Sequence, residues 1–276
     1  MKLLFSESGP DYSRYLYPYV VWAVPEPGET PADLYERGFL PASPNLDRFC
    51  LCRHVRVDLT RFRPSSENRR VLRKGEGVDC ALIPRGDFDY TAERRQRWHA
   101  FARERFGEGV MPFERLDGLM HGKVITHLLH FTHREDGRDL GTALLYVEPP
   151  RMAHYYFAFY DLAWFRQSLG LHMMTRAVVS FAEAGFRHLY LGTCYSRRAL
   201  YKTQFEGLEF FNGNCWSPSL EELKHLIARQ ERPEDGRTHL LVENDYLQAF
   251  WEGRLDRLTD ASPFRLHGGP GGSARA

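Results

Sequence analysis

The residues of this 276-residue chain best placed to do chemistry lie between Tyr155 and Trp216. An aromatic run, Tyr155-Tyr156-Phe157-Ala158-Phe159-Tyr160-Asp161, leads to Gln167-Ser168-Leu169-Gly170 and an apolar stretch that stops at Gly185. A glycine turn that opens a helix presents backbone N–H groups with no intrahelical partner, at the positive end of the helix dipole. That is chemistry for holding phosphate. In Gln167-x-x-Gly170-x-His172 a ring stands where a phosphate would favour glycine or alanine, and Ser168 is the expected N-cap of the helix. Downstream, Leu189-Tyr190-Leu191-Gly192 reads as a strand and Tyr201-Lys202-Thr203-Gln204-Phe205 as part of a short helix. Strand, glycine turn, long helix and strand is the order of a strand–helix–strand crossover, followed here by a further helix.

Two clusters of arginine form a second kind of candidate. Between Arg48 and Lys74 nine basic residues face two acidic ones, Asp58 and Glu67, although the whole chain carries a net charge of only +1. Arg94, Arg95, Arg97, Arg103 and Arg105 form the other cluster. Either is a solvated surface or a face for phosphate, whose geometry the planar guanidinium matches. The histidines at 121, 127, 130 and 133 do not suggest a metal site, because strand alternation puts 127 and 130 on opposite faces. Cys50 and Cys52 are separated by one residue, too few for a metal knuckle. With His54 and Cys80 they are the only metal candidates, and buried thiols account for them better. Five scattered cysteines point to a reducing compartment.

These groups need positioning elements. Five prolines between residues 10 and 31 predict an irregular start. A short helix is expected over Pro31–Arg37 with Thr30 as its cap, a strand over His54–Leu59, and helices over Ser66–Lys74 and Thr91–Phe106. Asp136-Gly137 predicts a hairpin joining Lys123–Thr132 to Leu140–Val147. Leu169, Met173, Ala177 and Phe181 recur every four residues, so Ser168–Ala184 is a helix lying on a sheet. Phe186–Leu191 is then a strand parallel to Tyr155–Tyr160. Further expectations are a helix over Arg197–Phe205, a strand over Glu209–Phe211, helices over Ser219–Gln230 and Leu240–Leu258, and a flexible tail from His267. No run of about 18 apolar residues suggests a membrane span.

Taken together, Phe159-Tyr160-Asp161, Ser168-Leu169-Gly170, Tyr190-Leu191-Gly192 and Tyr201-Lys202-Thr203-Gln204-Phe205 resemble, in that order, the C-terminal domain of the aminoacyl-tRNA–protein transferases. These are the arginyl- and bacterial leucyl-transferases that modify protein N-termini. Cys52-Arg53-His54-Val55-Arg56-Val57 and Ser65-Ser66-Glu67-Asn68-Arg69-Arg70 are similar to the family's N-terminal motifs, and the likeness runs from about residue 10 to 216. The chain departs from the family in having Cys50-x-Cys52 rather than Cys-x-x-Cys. Its loop between Gly192 and Tyr201 is also shorter, with Thr193 where a tyrosine is usual.

The resemblance implies an α+β fold: a GNAT-like domain with a mixed, mostly antiparallel sheet, preceded by a small basic domain. The expected units are residues 1–85, 86–216, a helical extension 217–266 and a tail 267–276. It implies an aminoacyltransferase without a cofactor, with aminoacyl-tRNA as donor and a protein or peptide N-terminus, Asp or Glu, as acceptor. Arginylation in an N-degron pathway in the cytoplasm, away from membranes, would be one such reaction. Tyr160, Ser168, Tyr195 and Lys202 are then expected at the reaction centre. Gln167, Leu169, Gly170, Tyr190, Gly192, Arg197, Arg198, Tyr201, Phe205 and Glu209 are expected to contact substrate. Arg69, Arg70, Arg94, Arg95 and Arg97 are expected to contact tRNA. Two other readings use the same residues: a GNAT N-acetyltransferase taking acetyl-CoA or another acyl-CoA, and a non-catalytic tRNA- or degron-binding module.

Overall fold

The computed structural model describes residues 1–13, 16–232 and 239–264, with the backbone alone at 165–167, 242 and 244. The tail expected from residue 267 lies outside the described residues. In chain order the first elements are β1 (Lys2–Glu7), β2 (Tyr19–Val24), α1 (Pro31–Glu36), β3 (Phe39–Pro41), β4 (Phe49–Leu51), β5 (His54–Asp58), α2 (Ser66–Lys74) and β6 (Val78–Pro84). Then come α3 (Ala92–Phe106), α4 (Phe113–His121), β7 (His127–His133), β8 (Asp139–Glu148), β9 (Met152–Tyr160), α5 (Leu169–Glu183) and β10 (His188–Thr193). A 3-10 segment over Arg197–Thr203 precedes β11 (Leu208–Phe211), β12 (Trp216–Ser217), α6 (Leu220–Gln230), α7 (Asn244–Trp251) and α8 (Leu255–Ala261).

The strands form two sheets. The smaller has the order β1-β2-β4-β3, and the larger β12-β11-β5-β10-β9-β8-β7-β6. Every pairing in the larger sheet is antiparallel except β9 with β10, which α5 joins as a crossover. This is the mixed, mostly antiparallel α+β fold expected. The sheet does not respect a division at residue 85, because β5 lies at its centre and β6 at its edge.

The central strands bury both faces, with different chemistry. On one face Val55, Val57, Ala153, Tyr155, Leu189 and Leu191 pack against Met173 and Ala177 of α5, which is the stripe the sequence spacing predicts. The opposite face is shared. Trp98 of α3 and Leu116 of α4 cover Phe159 and Leu144, with the Trp98 and Phe159 rings stacked at 4.7 Å. Tyr35 of α1 and Phe39 of β3 cover Tyr146, Met152 and Tyr190.

Several expectations need correction. The start of the chain is not irregular: β1 and β2 form there, and its prolines all fall outside those strands, Pro18 just before β2 and Pro25 just after it. Strand β6 and helix α4 were not foreseen. His121 lies in α4 and not on a strand. The helix expected over Leu240–Leu258 is broken into α7 and α8, with Glu252 left-handed at φ 54° between them. The extension from α6 to α7 is bolted to the sheet edge by the buried Glu222 carboxylate. It accepts hydrogen bonds from Asn212 Nδ2 (3.0 Å), Ser217 Oγ (2.5 Å) and the Tyr246 hydroxyl (2.7 Å).

Candidate functional site

The site begins where β9 and β10 part. Their parallel ladder runs from Met152–His188 to His154–Tyr190 and ends there. β9 continues beside β8 to Tyr160, and β10 continues beside β5 to Thr193. Each strand has a register shift just past the last shared pair, at Tyr156 in β9 and Leu191 in β10. Bulges of this kind bend a strand and sharpen its twist, so the two strands diverge and leave a wedge between them. Backbone groups along its inner edges have no cross-strand partner in the opposite strand, and a bound chain could use them.

The start of α5 borders this wedge. Ser168 is left-handed (φ 58°, ψ 40°), and its side chain makes no capping bond, contrary to the expected N-cap role. A β-region φ suits a capping serine, and this backbone does not provide it. Gly170 is needed for close approach: a Cβ there would stand 2.7 Å from the Tyr160 ring. His172 does not crowd the helix start. Its ring is buried between α5 and α2, with Nδ1 3.4 Å from the Val71 carbonyl and Phe131 edge-on. A cleft of about 340 Å³ opens beside Tyr160, lined by Trp98, Phe101 and Phe159 together with Arg97, Arg138, Asp139 and Asp161.

The far side of the wedge holds Gly192, Thr193 and Lys202. Gly192 has φ +80°, a conformation that a side chain would strain. Half-buried Lys202 donates from Nζ to the Thr193 carbonyl at 2.9 Å, and burial lowers its pKa while the nearby Cys194 thiol opposes the shift. No ion pair joins Lys202 to a carboxylate among the described residues. Beneath it, burial pushes the His154 pKa down to about 3, with the neighbouring His54 and Lys202 adding to the effect. Its Nδ1 pairs with the Tyr35 hydroxyl at 2.7 Å, and its buried Nε2 has no partner among the described residues. His54 behaves alike: burial takes its pKa to about 3, Nδ1 donates to the Cys52 carbonyl at 2.8 Å, and Nε2 has no described partner.

The other expected residues divide. Leu169, Tyr190 and Phe205 are no more than 3% exposed, so their side chains belong to the core and not to a substrate surface. The Tyr195 hydroxyl accepts from the Arg53 backbone N–H at 2.7 Å, and the Arg53 guanidinium lies 4.6 Å over its ring, which draws Tyr195 toward β5. Tyr201 is half-exposed, and its phenol pKa is raised by burial and by the nearby Tyr160. Glu209 bridges Arg56 and Arg61. Arg197 pairs with Glu231, while Arg198 is exposed. The Gln167 side chain lies outside the described residues.

Of the expected tRNA contacts, Arg94 and Arg97 are held by Asp139 and Arg95 by Asp117. On α2, Arg70 pairs with Glu67 and Arg69 bonds the Pro64 carbonyl, while Arg73 and Lys74 are exposed beside them. Cys52 lies 3.9 Å from His54 Nδ1, and burial pushes its thiol up to about 12. Cys80 is on β6, at the far edge of the sheet from β5, so it cannot share an ion with Cys50 or Cys52. Among the described residues no cluster of three or more metal-ligating side chains occurs. No helix among them is long and apolar enough to cross a membrane.

Sequence comparison bears on this geometry. No family model matches the chain. It is 26% identical over 185 residues to the aspartate/glutamate leucyltransferase of Ruegeria pomeroyi, covering 64% of this chain and 66% of that protein. It is 26% identical over 189 residues to the same-named protein of Maricaulis maris (65% of this chain, 71% of that one). For Marinobacter nauticus the figures are 28% over 180 residues, 63% and 73%. The chain thus spans about two thirds of the Ruegeria relative, and its curated homologues are acyl-transferring enzymes by name. Similar solved structures include a GCN5-related N-acetyltransferase from Sphaerobacter thermophilus (TM-score 0.33, 14% identity, 58% of this chain and 45% of that one). Another is the GCN5-related glucosamine N-acetyltransferase region of a fungal β-N-acetylglucosaminidase (TM-score 0.38, 12% identity, 58% and 20%).

His154 and Tyr35 at the base of the wedge were not singled out in the sequence, and His54 only as a metal candidate. The one signal was a histidine inside an otherwise aromatic and apolar strand, Met152–Tyr160.

Proposed function

We propose that this chain transfers an amino acid, leucine, from aminoacyl-tRNA to the N-terminal amine of a protein that begins with Asp or Glu. The observation that carries this reading is the likeness to aspartate/glutamate leucyltransferases across about two thirds of the chain. The wedge between β9 and β10 supplies the place. The donor is an activated ester. The acceptor nitrogen attacks its carbonyl carbon, the new C–N bond forms, the bond to the tRNA ribose oxygen breaks, and the amine proton ends on that oxygen. An α-amine of pKa about 7.7–8.0 is partly neutral near pH 7, so the enzyme mainly has to juxtapose the reactants and stabilise the oxyanion. Tyr160, Ser168 and the uncapped start of α5 border the donor in this reading, and Lys202 faces the acceptor.

The cleft beside Tyr160 has an aromatic floor that suits an apolar side chain such as leucine, while its two arginines, Arg97 and Arg138, are matched by Asp139 and Asp161. The basic face of α2, where Arg73 and Lys74 are exposed, is the surface for tRNA phosphates.

The test is transfer of label from tRNAs charged with radioactive leucine, arginine or other amino acids to peptides beginning with Asp, Glu or Ala, with an acetyl-CoA reaction alongside. Leucine on acidic N-termini is expected. Label from acetyl-CoA alone would overturn the reading.

A further inference from the structure

We propose that His154 and Lys202 form a two-point receptor for a carboxylate at the base of the wedge, with His154 as the specificity-determining partner. This rests on the transferase reading for its occupant, the acidic side chain of the acceptor's first residue. The geometry centres on Gly192. A methyl group at its missing Cβ would stand 3.7 Å from Lys202 Nζ and 3.8 Å from His154 Nε2. Both nitrogens therefore border the same side of Gly192, where a side chain would lie in van der Waals contact with each.

Both groups are donors. The Tyr35 hydroxyl is buried and kept protonated by its burial, and its described partner is His154 Nδ1. The tautomer that gives the hydroxyl proton a partner has the hydroxyl donating to Nδ1 and the neutral imidazole carrying its single proton on Nε2. This leaves a buried Nε2–H with nothing described to accept it, on a side chain 3% exposed. Lys202 spends one N–H on the Thr193 carbonyl and has others to give. A buried donor without a partner is costly, and a half-buried ammonium without a counter-charge adds to that cost. An amide oxygen could accept from both donors, but only a carboxylate also supplies a counter-charge to the Lys202 ammonium.

The experiment is equilibrium binding of C-terminally amidated peptides beginning with Glu, Gln, Asp or Asn to the full chain, without tRNA. The Glu peptide is expected to bind at least about 10-fold more tightly than the Gln peptide, with Asp exceeding Asn likewise. His154→Leu should remove most of that preference, and His154→Gln, whose amide keeps an N–H, should restore part of it. Thermal melts report folding. If His154→Leu does not fold, Gly192→Ala decides, because its methyl lies in van der Waals contact with both nitrogens and should lower the same ratio. Equal binding of Glu and Gln peptides to the wild type would overturn the proposal. So would an unchanged ratio in His154→Leu or, failing that, in Gly192→Ala. Because no tRNA is present, a carboxylate preference without transfer would instead overturn the transferase reading and leave the receptor standing.

Discussion

Glu222 and Lys202 are both ionisable groups drawn into the protein, and they are treated in opposite ways. The Glu222 carboxylate accepts three hydrogen bonds from three separate elements. Lys202 donates to a single backbone carbonyl and looks onto the space above Gly192. A buried carboxyl group held by three donors serves the fold. A charge left partly unsatisfied beside an unpartnered imidazole serves a ligand. Arg94, Arg95 and Arg97 of α3 fall on the Glu222 side of this divide, since Asp139 and Asp117 hold them.

The comparison predicts where each substitution registers. Glu222→Ala strips the shared acceptor from Asn212, Ser217 and Tyr246, and about 3–5 kcal/mol of stability should go with it in denaturant titrations. Lys202→Met should do the reverse. It leaves the melting temperature unchanged or higher, but slows transfer to Glu-initiated peptides by about 30-fold or more, read as kcat/KM.

Acid sharpens the contrast through the histidines. His54 and His154 are neutral when folded, and the unfolded chain binds protons on them first as pH falls below about 6.5. Stability contributed by keeping them neutral is therefore intact above that pH and declines progressively towards pH 3. The slope should be at most about 1.4 kcal/mol per pH unit for each histidine, and His154→Gln should make it shallower in urea titrations at a series of pH values. The smallest effect is expected on α2. Replacing Arg73 and Lys74 together by Ala should reduce the salt dependence of tRNA binding by about one unit of log–log slope for each phosphate that is no longer neutralised, without altering acceptor preference.

Much of the scaffold was legible because it is written locally. The four-residue spacing of Leu169, Met173, Ala177 and Phe181 announced α5, and Ser65 with Asn68 forms a capping box where α2 was expected to begin. Strands β1 and β2 were hidden because proline density around them outweighed a short alternation. Strand β6, Val78–Pro84, carries mixed polarity because it is an edge. The site was less legible because its meaning is not local. His154 acquires a fixed proton only from Tyr35, 119 residues earlier, and a target only from Gly192 on the neighbouring strand. The partners of Arg94, Arg95 and Arg97 are likewise not local: Asp117 and Asp139 lie elsewhere in the chain.

The most direct measurement is the initial rate of leucine transfer from leucyl-tRNA to a Glu-initiated peptide, by the wild type and by Lys202→Met. Arg134→Gln, on the far hairpin where Arg134 pairs with Asp79, serves as the surface control. The account predicts transfer by the wild type and the control, and a fall of about 30-fold or more in Lys202→Met with its melting temperature preserved. Equal rates in wild type and Lys202→Met would contradict it, as would no transfer by the wild type.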